Sequence, residues 1–394
     1  MTNLPQGWEW KSLGEICFIT DGTHKTPNYI ETGIPFLSVK NISKGFFDLS
    51  DVKYISLEEH NKLIKRAKPE FEDILICRIG TLGKAIKISL EFEFSIFVSL
   101  GLLKPKVKII SDYLVYFLNS YFIEGWINDN KVGGGTHTAK LNLNILEKCP
   151  IALPPLKEQE RIVGILDESF AKIDESIKIL EQNLLNLDEL MQSALRKAFN
   201  PLNDDTKENY QLPQSWEWKS LEEISENISA GGDKPKNCTE SKTAKNQIPV
   251  YANGVNNNGL VGYTDKATII KPSLTISARG TIGFVCIRKE PYFPIVRLIS
   301  LIPCENILCL HYLYFCLNFF IAKGEGSSIP QLTIPKFKSL QIPLPPLKEQ
   351  EQIAMHLDSV FEKAKALKEL YTKELKDYEE LKQSLLDKAF KGEL

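Results

Sequence analysis

Apolar residues recur every three or four positions through one unusually long stretch, residues 156–199. Steps of four and three alternate there without a break. Such a heptad seam is typical of a helix that packs along a partner helix. Pro155 comes directly before the stretch, where the fixed φ of a proline suits a first helical turn. The seam positions are Leu166, Phe170, Ile173, Ile177, Leu180, Leu184, Leu187, Met191, Ala194 and Ala198.

A second copy of this stretch ends the sequence. The run Leu-Pro-Pro-Leu-Lys-Glu-Gln-Glu begins at Leu153 and again at Leu344, and the copies end at Phe199 and Phe390. Both ends lie 191 positions apart (344 − 153 and 390 − 199), so no insertion separates the copies. We interpret them as two helices of equal length that pair with each other. The alternative is two amphipathic helices that cover separate cores.

Two lysines, Lys368 and Lys382, interrupt the seam of the second copy. Leucines beside these gaps could carry the apolar stripe instead; they are Leu367, Leu370 and Leu381. The remaining seam positions are Leu357, Phe361, Ala364, Tyr371, Leu375, Tyr378, Leu385 and Ala389.

The segments before the two helices are also repeated. Trp8–Leu13 returns as 216–221, and Ile76–Gly83 aligns with 276–283. The chain is therefore a duplication of one module followed by one long helix. The boundaries that follow are residues 1–155 for the first module, 156–200 for the first helix, 201–215 for a polar linker, 216–345 for the second module and 346–394 for the second helix.

Short apolar runs separated by Gly- and Asn-rich breaks predict a strand-rich α+β fold for each module. Predicted strands cover 34–39, 74–77, 94–98, 269–270, 274–276 and 298–301. Predicted helices cover 56–66, 112–127 and 307–321.

Composition and charge change this picture little. The helices carry a net charge of −5, whereas the modules are mildly basic at +1 and +4, which makes the modules the place for a polyanion. The 8 cysteines form no C-x-x-C pair, so zinc or a disulfide framework is not indicated, and buried free thiols are expected. No secretory signal and no apolar run of ~20 residues is present, so a cytoplasmic location without a membrane partner is expected.

Polar loops of the modules hold the candidate nucleic-acid contacts, because Lys, Arg, Asn, Gln and Thr reach phosphates and base edges. In the first module they are Thr23, His24, Lys25, Thr26, Lys40, Asn41, Arg78, Thr81, Thr136, His137 and Lys140. In the second they are Lys234, Lys236, Tyr251, Asn253, Asn256, Asn257, Arg279, Thr281, Ser327, Ser328 and Gln331. Gly80–Lys84 does not complete a phosphate loop, since Arg78 and Ala85 occupy required positions, and a turn shared by both modules is the simpler interpretation.

Catalytic constellations are absent from the sequence. It contains no H-E-x-x-H, no G-x-S-x-G and no Asn-Pro-Pro-type motif of amino-methyltransferases, and its 5 histidines share no spacing. We therefore predict no catalytic residue and no metal site. Scattered carboxylates with a lysine, as in some nucleases, stay open because they leave little trace in a sequence.

The repeated Leu-Pro-Pro-Leu-Lys-Glu-Gln-Glu runs, each closing a module that begins near Trp-Glu-Trp, resemble the specificity subunit of a Type I restriction-modification system. The resemblance covers essentially the whole chain. Asp21–Pro27 together with 34–37 and 40–42 also resembles one class of target-recognition domain. The resemblance implies two α/β target-recognition domains and two long antiparallel helices that form a coiled coil with a pseudo-twofold repeat.

The same resemblance implies a non-catalytic subunit that reads double-stranded DNA and scaffolds its partners. Those are two methyltransferase subunits and two restriction or motor subunits, which would hold S-adenosylmethionine, ATP and Mg²⁺; the chain itself binds no cofactor. A helix of about 44 residues spans ~65 Å. Two unlike modules on such a pair would read an asymmetric bipartite target, with half-sites ~34–36 Å apart or slightly more. The alternatives are a subunit of a fused or Type II-like restriction enzyme with a hidden nuclease or methyltransferase site, and a coiled-coil adaptor that binds only proteins.

Overall fold

A computed structural model describes residues 4–134, 139–200, 202, 211–321, 324–325 and 332–394. The chain divides into two compact units. Unit 1 comprises Met1–Leu180 with Lys373–Leu394, and unit 2 comprises Glu181–Thr372. Each unit therefore combines one module with parts of both long helices.

The first module alternates short strands and short helices. In chain order these are β1 (Glu9–Ser12), α1 (Leu13–Ile16), β2 (Cys17–Asp21), β3 (Ile34–Leu37), β4 (Lys53–Ile55), α2 (Leu57–Leu63), β5 (Ile74–Cys77), β6 (Ala85–Lys87), β7 (Ser95–Ile96), β8 (Leu100–Pro105), α3 (Ser111–Leu118), α4 (Tyr121–Asn130), α5 (Leu143–Leu146) and β9 (Pro150–Leu153). A 3₁₀ turn covers Val39–Asn41. The helix predicted over 112–127 is in fact two helices, α3 and α4, which meet at Asn119 and Ser120.

Three small sheets organise these strands. The largest has the order β2-β8-β5-β6 and is antiparallel throughout. A second sheet, β4-β3-β7, contains one parallel pair, β3 with β7. The third pairs β1 with β9, which joins the start of the module to the residues just before the first long helix. This pairing holds the first and the last strand of the module together just before that helix begins.

After the first long helix, α6 (Leu156–Phe199), the second module repeats this plan. Its elements are β10 (Glu217–Ser220), α7 (Leu221–Ile224), β11 (Ser225–Ala230), β12 (Ile248–Tyr251), β13 (Leu260–Thr264), β14 (Ser273–Ile276), β15 (Thr281–Ile282), β16 (Val285–Arg288), β17 (Phe293–Pro294), β18 (Ile299–Pro303), α8 (Leu310–Phe320), β19 (Gly324–Glu325), α9 (Ile334–Lys338), β20 (Gln341–Leu344) and the second long helix α10 (Leu347–Lys391). A 3₁₀ turn covers Asn256–Gly259.

Sheet order confirms the duplication. The second module contains β11-β18-β14-β16, β13-β12-β17 and the pair β10-β20, which match the three sheets of the first module. The predicted strand at 269–270 is wrong, because Ile269 forms only an isolated bridge with Tyr292. A further difference is that α2 of the first module has no counterpart between β13 and β14, where the described residues 265–272 contain no helix.

A buried glutamine explains why the Leu-Pro-Pro-Leu-Lys-Glu-Gln-Glu run occurs in both copies. Gln159 is 1% exposed; its Oε1 accepts from the Ile110 amide at 2.9 Å and its Nε2 donates to the Pro154 carbonyl. Gln350 repeats this with the Cys309 amide and the Pro345 carbonyl. Each glutamine therefore satisfies backbone groups where a module meets its long helix, and such buried groups are costly to leave unpaired.

In unit 1 the two long helices run antiparallel. The Arg161 guanidinium donates to the Leu394 carbonyl at 3.0 Å, and the Lys382 ammonium pairs with the Asp174 carboxylate at 2.5 Å. Residues later in α6 therefore meet residues earlier in α10. Ile162 and Leu166 join the core of the first module, together with residues from the end of α10 that include Leu386 and Phe390.

In unit 2 the helices are antiparallel as well. Lys368 pairs with Asp188, while Leu195 and Phe199 share a core with Ala354 and Leu357. Both ion pairs have the same register, since 174 + 382 and 188 + 368 each equal 556. The predicted coiled coil is therefore confirmed within each unit.

Seam residues on both helices are buried or half-buried as predicted, but the proposed detour around the lysines is wrong. Leu367, Leu370 and Leu381 are 38%, 55% and 44% exposed. The lysines remain in the seam, where Lys368 and Lys382 have side chains only 33% and 21% exposed. Their long aliphatic stems cover apolar surface while the ammonium groups reach aspartates on the facing helix.

Reversing both seam lysines to aspartate is expected to lower the free energy of unfolding by about 1 kcal/mol for each reversal. The new carboxylates would face Asp174 and Asp188. Urea unfolding of the full chain measures this loss, and adding Asp174→Lys with Asp188→Lys should restore most of it. The control is Lys376→Asp, whose 77% exposed side chain pairs with Glu380 on its own helix. An unrescued double reversal would contradict pairing across the helices.

Candidate DNA interface

The loop after β2 holds four of the predicted contact residues. Thr23 is half-buried, whereas His24, Lys25 and Thr26 are exposed. The Thr23 amide donates to the Ile96 carbonyl at 3.1 Å, and the Val98 amide donates to the Thr23 carbonyl at 3.0 Å. Gly22 is required here, because a Cβ would lie 2.0 Å from the Ile96 carbonyl oxygen. The loop is thus held against the edge of β7 with its polar tip outward.

Asp21, at the end of β2, is buried beneath this tip at 1% exposure. Its Oδ2 accepts from Arg78 and contacts the His24 Nε2 at 3.1 Å, while its Oδ1 accepts from Arg66. Burial alone would raise the pKa of Asp21, but the hydrogen bond from Arg66 and the charge of Arg78 outweigh it, so the pKa lies below its usual value. The carboxylate therefore stays ionised as the centre of a cationic group.

Two predicted contact residues of the first module face inward. Arg78 is 7% exposed and, besides Asp21, donates to the carbonyl oxygens of Leu141 at 3.0 Å and Val98 at 3.3 Å. Asn41 is 4% exposed; its Oδ1 accepts from the Ser38 amide and its Nδ2 donates to the Asp48 carbonyl. These two side chains therefore do not face solvent. Their hydrogen bonds connect the loops of the module from inside. Lys40, next to Asn41, is exposed.

The Gly80–Gly83 segment forms a turn in both modules, as expected. Gly80 and Gly83 have φ of +82°, and Gly280 and Gly283 have φ of +70° and +81°, values that favour glycine. Thr81 at the tip is exposed, and Thr281 is half-buried with a hydroxyl that forms no hydrogen bond among the described residues. A recess of about 480 Å³ lies beside the first turn. Exposed Lys140 pairs through its backbone with Val132.

In the second module, Lys234, Lys236 and Arg279 are exposed. Asn253 is half-buried and bridges two segments, since its Oδ1 accepts from the Ala278 amide at 2.8 Å and its Nδ2 donates to the Val296 carbonyl at 2.6 Å. Asn253 therefore orders the loop from which its neighbours project.

Exposed asparagines form a tight turn nearby. Asn257 and Asn258 adopt consecutive left-handed conformations, which asparagine tolerates better than most residues, and Asn256 precedes them. Arg288, at the end of β16, supports the turn from below. Its guanidinium donates to the Asn258 carbonyl at 2.5 Å and lies 3.5 Å from the centre of the Tyr251 ring. Tyr251 is thus half-buried beneath an arginine that sequence reasoning missed.

Five predicted contacts lie outside the described residues: Thr136, His137, Ser327, Ser328 and Gln331. Within the described ranges no group of three His, Cys, Asp or Glu side chains could hold a metal ion. No disulfide links the cysteines, and burial raises the pKa of the Cys17, Cys77 and Cys149 thiols to about 12. Among the described helices, none combines the length and apolarity needed to span a bilayer.

The two modules share one topology but carry different loop side chains, and two long helices pair beside them. These features define a class of protein with two related but distinct binding domains. The family described as "Type I restriction modification DNA specificity domain" matches this chain at residues 5–185 and 213–376. The chain belongs to this family of DNA specificity domains.

Individual proteins agree with the assignment. A Mycoplasma pneumoniae protein named as a type I specificity subunit is 30% identical over 68% of this chain and 69% of its own length. The StySPI specificity subunit of Salmonella potsdam is 25% identical over 99% of this chain and 90% of its own. A chain in a solved structure described as "Structural basis underlying complex assembly and conformational transition of the type I R-M system" shares the fold, with a TM-score of 0.82 and 21% identity over the full length of both chains. None of these similarities favours a fused restriction enzyme.

Proposed function

We propose that this chain reads an asymmetric, bipartite site on double-stranded DNA, one half-site with each module. The observation that carries the proposal is the internal comparison of equivalent loops. Thr23 and Gly232 form the same parallel bridge in their modules, to Phe97 and Ile295. Two residues further on, Lys25 and Lys234 are both exposed lysines. The two modules therefore share the backbone arrangement of this loop and one exposed lysine, so each module can bind DNA in the same way.

The side chains around that shared lysine differ. His24 of the first module corresponds to Asp233 of the second, which replaces a neutral or positive group by a negative one. The second module presents exposed Asn256 and Asn257 on the 3₁₀ turn between β12 and β13, whereas the 3₁₀ turn at that place in the first module ends at buried Asn41. Because base readout depends on donors and acceptors at particular positions, unlike side chains on like frames support two different half-sites.

The proposed contacts are the exposed or half-buried candidates; Asn41, Arg78 and Asn253 order loops from within. Positive side chains would meet phosphates, which supplies affinity without sequence preference, while asparagine and threonine would meet base edges. The candidates proposed as contacts are Thr23, His24, Lys25, Thr26, Lys40, Thr81, Lys140, Lys234, Lys236, Tyr251, Asn256, Asn257, Arg279 and Thr281.

The proposal assigns the chemistry to other subunits. Two methyltransferase subunits would hold S-adenosylmethionine, two restriction or motor subunits would use ATP and Mg²⁺, and the whole complex would act in the cytoplasm, where the DNA lies. Support comes from the family assignment and from the structural relative, whose description concerns assembly of a type I R-M system.

Mapping of methylated adenines tests the proposal. The full chain is expressed with its methyltransferase partner in a host that lacks such methylation, and long-read sequencing should find one motif of two unlike half-sites around an unread gap. Omitting the chain should abolish the motif. Purified chain alone, given DNA, Mg²⁺, ATP and S-adenosylmethionine, should neither cleave nor methylate. A symmetric or uninterrupted motif, or activity from the chain alone, would contradict the proposal.

A further inference from the structure

A cationic group in the loop after β2 of the first module has no counterpart among the described residues of the second. It consists of His24, Lys25 and Arg66 around the buried carboxylate of Asp21, and we name it the Asp21 cluster. His24, Lys25 and Arg66 line a recess of about 360 Å³ together with Thr23, Lys62 and Leu63. All of them belong to unit 1.

Arg66 is held at two points although its side chain is 55% exposed. Its Nε donates to the Asp21 carbonyl at 3.2 Å and its Nη2 donates to the Asp21 carboxylate. An exposed arginine normally samples many rotamers, and fixing it costs side-chain entropy. Here Asp21 fixes the guanidinium before any ligand arrives, and the remaining N–H groups are left for a partner.

The charge of the cluster favours an anion. Asp21 carries one negative charge but meets the two guanidinium groups of Arg66 and Arg78, so positive charge remains. Exposed Lys25 adds to it, whereas Lys62 is already paired with Glu58 at 2.7 Å. A planar guanidinium presented beside a lysine matches the oxygens of a phosphodiester.

Comparison with the second module shows that the cluster is a built feature of the first. Asp21 pairs with Gly101 across the sheet, and Gly101 leaves room for the Arg78 stem, which a Cβ there would meet at 3.0 Å. The equivalent positions in the second module are Ala230 and Ile299. Ala278 replaces Arg78, so the carboxylate, its buried partner and the space for that partner are all missing.

The segment that carries Arg66 is likewise confined to the first module. Arg66 follows α2, and no helix occurs in the described residues between β13 and β14. Asp21, Arg66, Arg78 and helix α2 therefore occur together in the first module alone. They form one local structure that is not part of the fold shared by both modules.

We propose that Asp21 positions Arg66 and His24 beside Lys25 as a DNA phosphodiester clamp of the first half-site. This inference rests on the proposed function. Arg66 contacts the phosphate, whereas Asp21 acts through Arg66 as a positioning residue. The clamp fixes the first module on the backbone without reading a base, and the second module docks without it.

Salt-dependent binding of the full chain tests the clamp on two duplexes, one containing the mapped target and one of random sequence. Arg66→Gln should weaken binding about tenfold at low salt on both, and should reduce the slope of log affinity against log salt by about 0.9. Lys172→Gln is the matched control, because it removes one charge from a 73% exposed helix position in the same unit. It should leave affinity and slope unchanged.

Two further variants separate positioning from charge. Arg66→Lys keeps the charge but loses the two-point grip of Asp21, so the slope should persist while affinity falls about threefold. Asp21→Asn adds a net positive charge to the chain, which would tighten binding if charge alone mattered; the clamp predicts weaker binding. Thermal melting checks that each variant is folded. If Asp21→Asn is not folded, Arg66→Lys, which changes an exposed side chain, decides between positioning and charge.

If Arg66→Gln keeps the affinity and the salt slope of the wild-type chain, the clamp is wrong. If it weakens binding to the target duplex alone, Arg66 reads a base instead of holding a phosphate. Tighter binding by folded Asp21→Asn would overturn the positioning role. A wild-type chain that does not prefer the mapped target over random DNA would instead contradict the proposed function.

Discussion

Inserting one heptad into each long helix is expected to lengthen the preferred gap between half-sites by about three base pairs. Seven residues add ~10.5 Å to a helix, and one base pair occupies ~3.4 Å. In the register that the Asp174–Lys382 ion pair sets within unit 1, the boundary between Asp174 and Glu175 lies opposite the boundary between Leu381 and Lys382. Inserting a second copy of 168–174 at the first boundary and of 375–381 at the second keeps apolar seam residues in phase.

Methylation mapping of the inserted variant, beside wild type, measures the gap directly. Both half-sites should keep their sequences, because neither module changes. A heptad in α6 alone is the control: it has no facing residues in α10, so it should lower stability rather than produce a new gap. An unchanged gap in the doubly inserted chain would show that the helix pair does not set the spacing.

The long helices were predictable because their signal is local. Heptad spacing, a proline before the first turn and two copies of equal length predict the type of both helices and where each begins, whereas the second was predicted to continue to residue 394 and α10 ends at Lys391. The treatment of Lys368 and Lys382 failed because a charged residue was assumed to leave the seam. The structure keeps each lysine there by placing an aspartate of the facing helix within reach, and that partner lies far away in sequence.

The modules were predictable in class but not in topology. Strands of two to six residues carry little periodicity, and pairing β3 in parallel with β7 joins residues about sixty positions apart. The turn at Gly80 and Gly83 was foreseen because the same glycines recur in the second copy. Splitting of the helix predicted over 112–127 was not, since the apolar spacing continues through it.

Contact residues showed the same limit. Loops rich in polar residues were found, but composition cannot tell an outward side chain from an inward one. Arg78 faces inward because Asp21, 57 positions earlier, lies beside it. Arg66 and Arg288 were missed because each acts through partners brought close only by the fold. Comparing the two copies position by position offers the missing signal, since Asp21 and Arg78 are replaced together by Ala230 and Ala278.

Two equivalent phenylalanines should each support the unit in which their helix ends. Phe390 lies 4.8 Å from the Phe117 ring centre in unit 1, and Phe199 lies 5.4 Å from the Tyr312 ring centre in unit 2. Truncating such a buried ring leaves a cavity and costs about 3–5 kcal/mol. We therefore expect Phe390→Ala to destabilise unit 1, and Phe199→Ala to destabilise unit 2, each by about this amount.

Hydrogen exchange resolves the effect by unit, and urea unfolding gives its size. Phe390→Ala should lower amide protection in residues 4–134, although the substitution lies near the far end of the chain; Phe199→Ala should lower it in 211–321. The matched control is Leu185→Ala, which trims a 59% exposed side chain on α6 and should change neither. Loss of protection in the opposite module would mean that the helix ends do not complete these cores, and the antiparallel register would then be wrong.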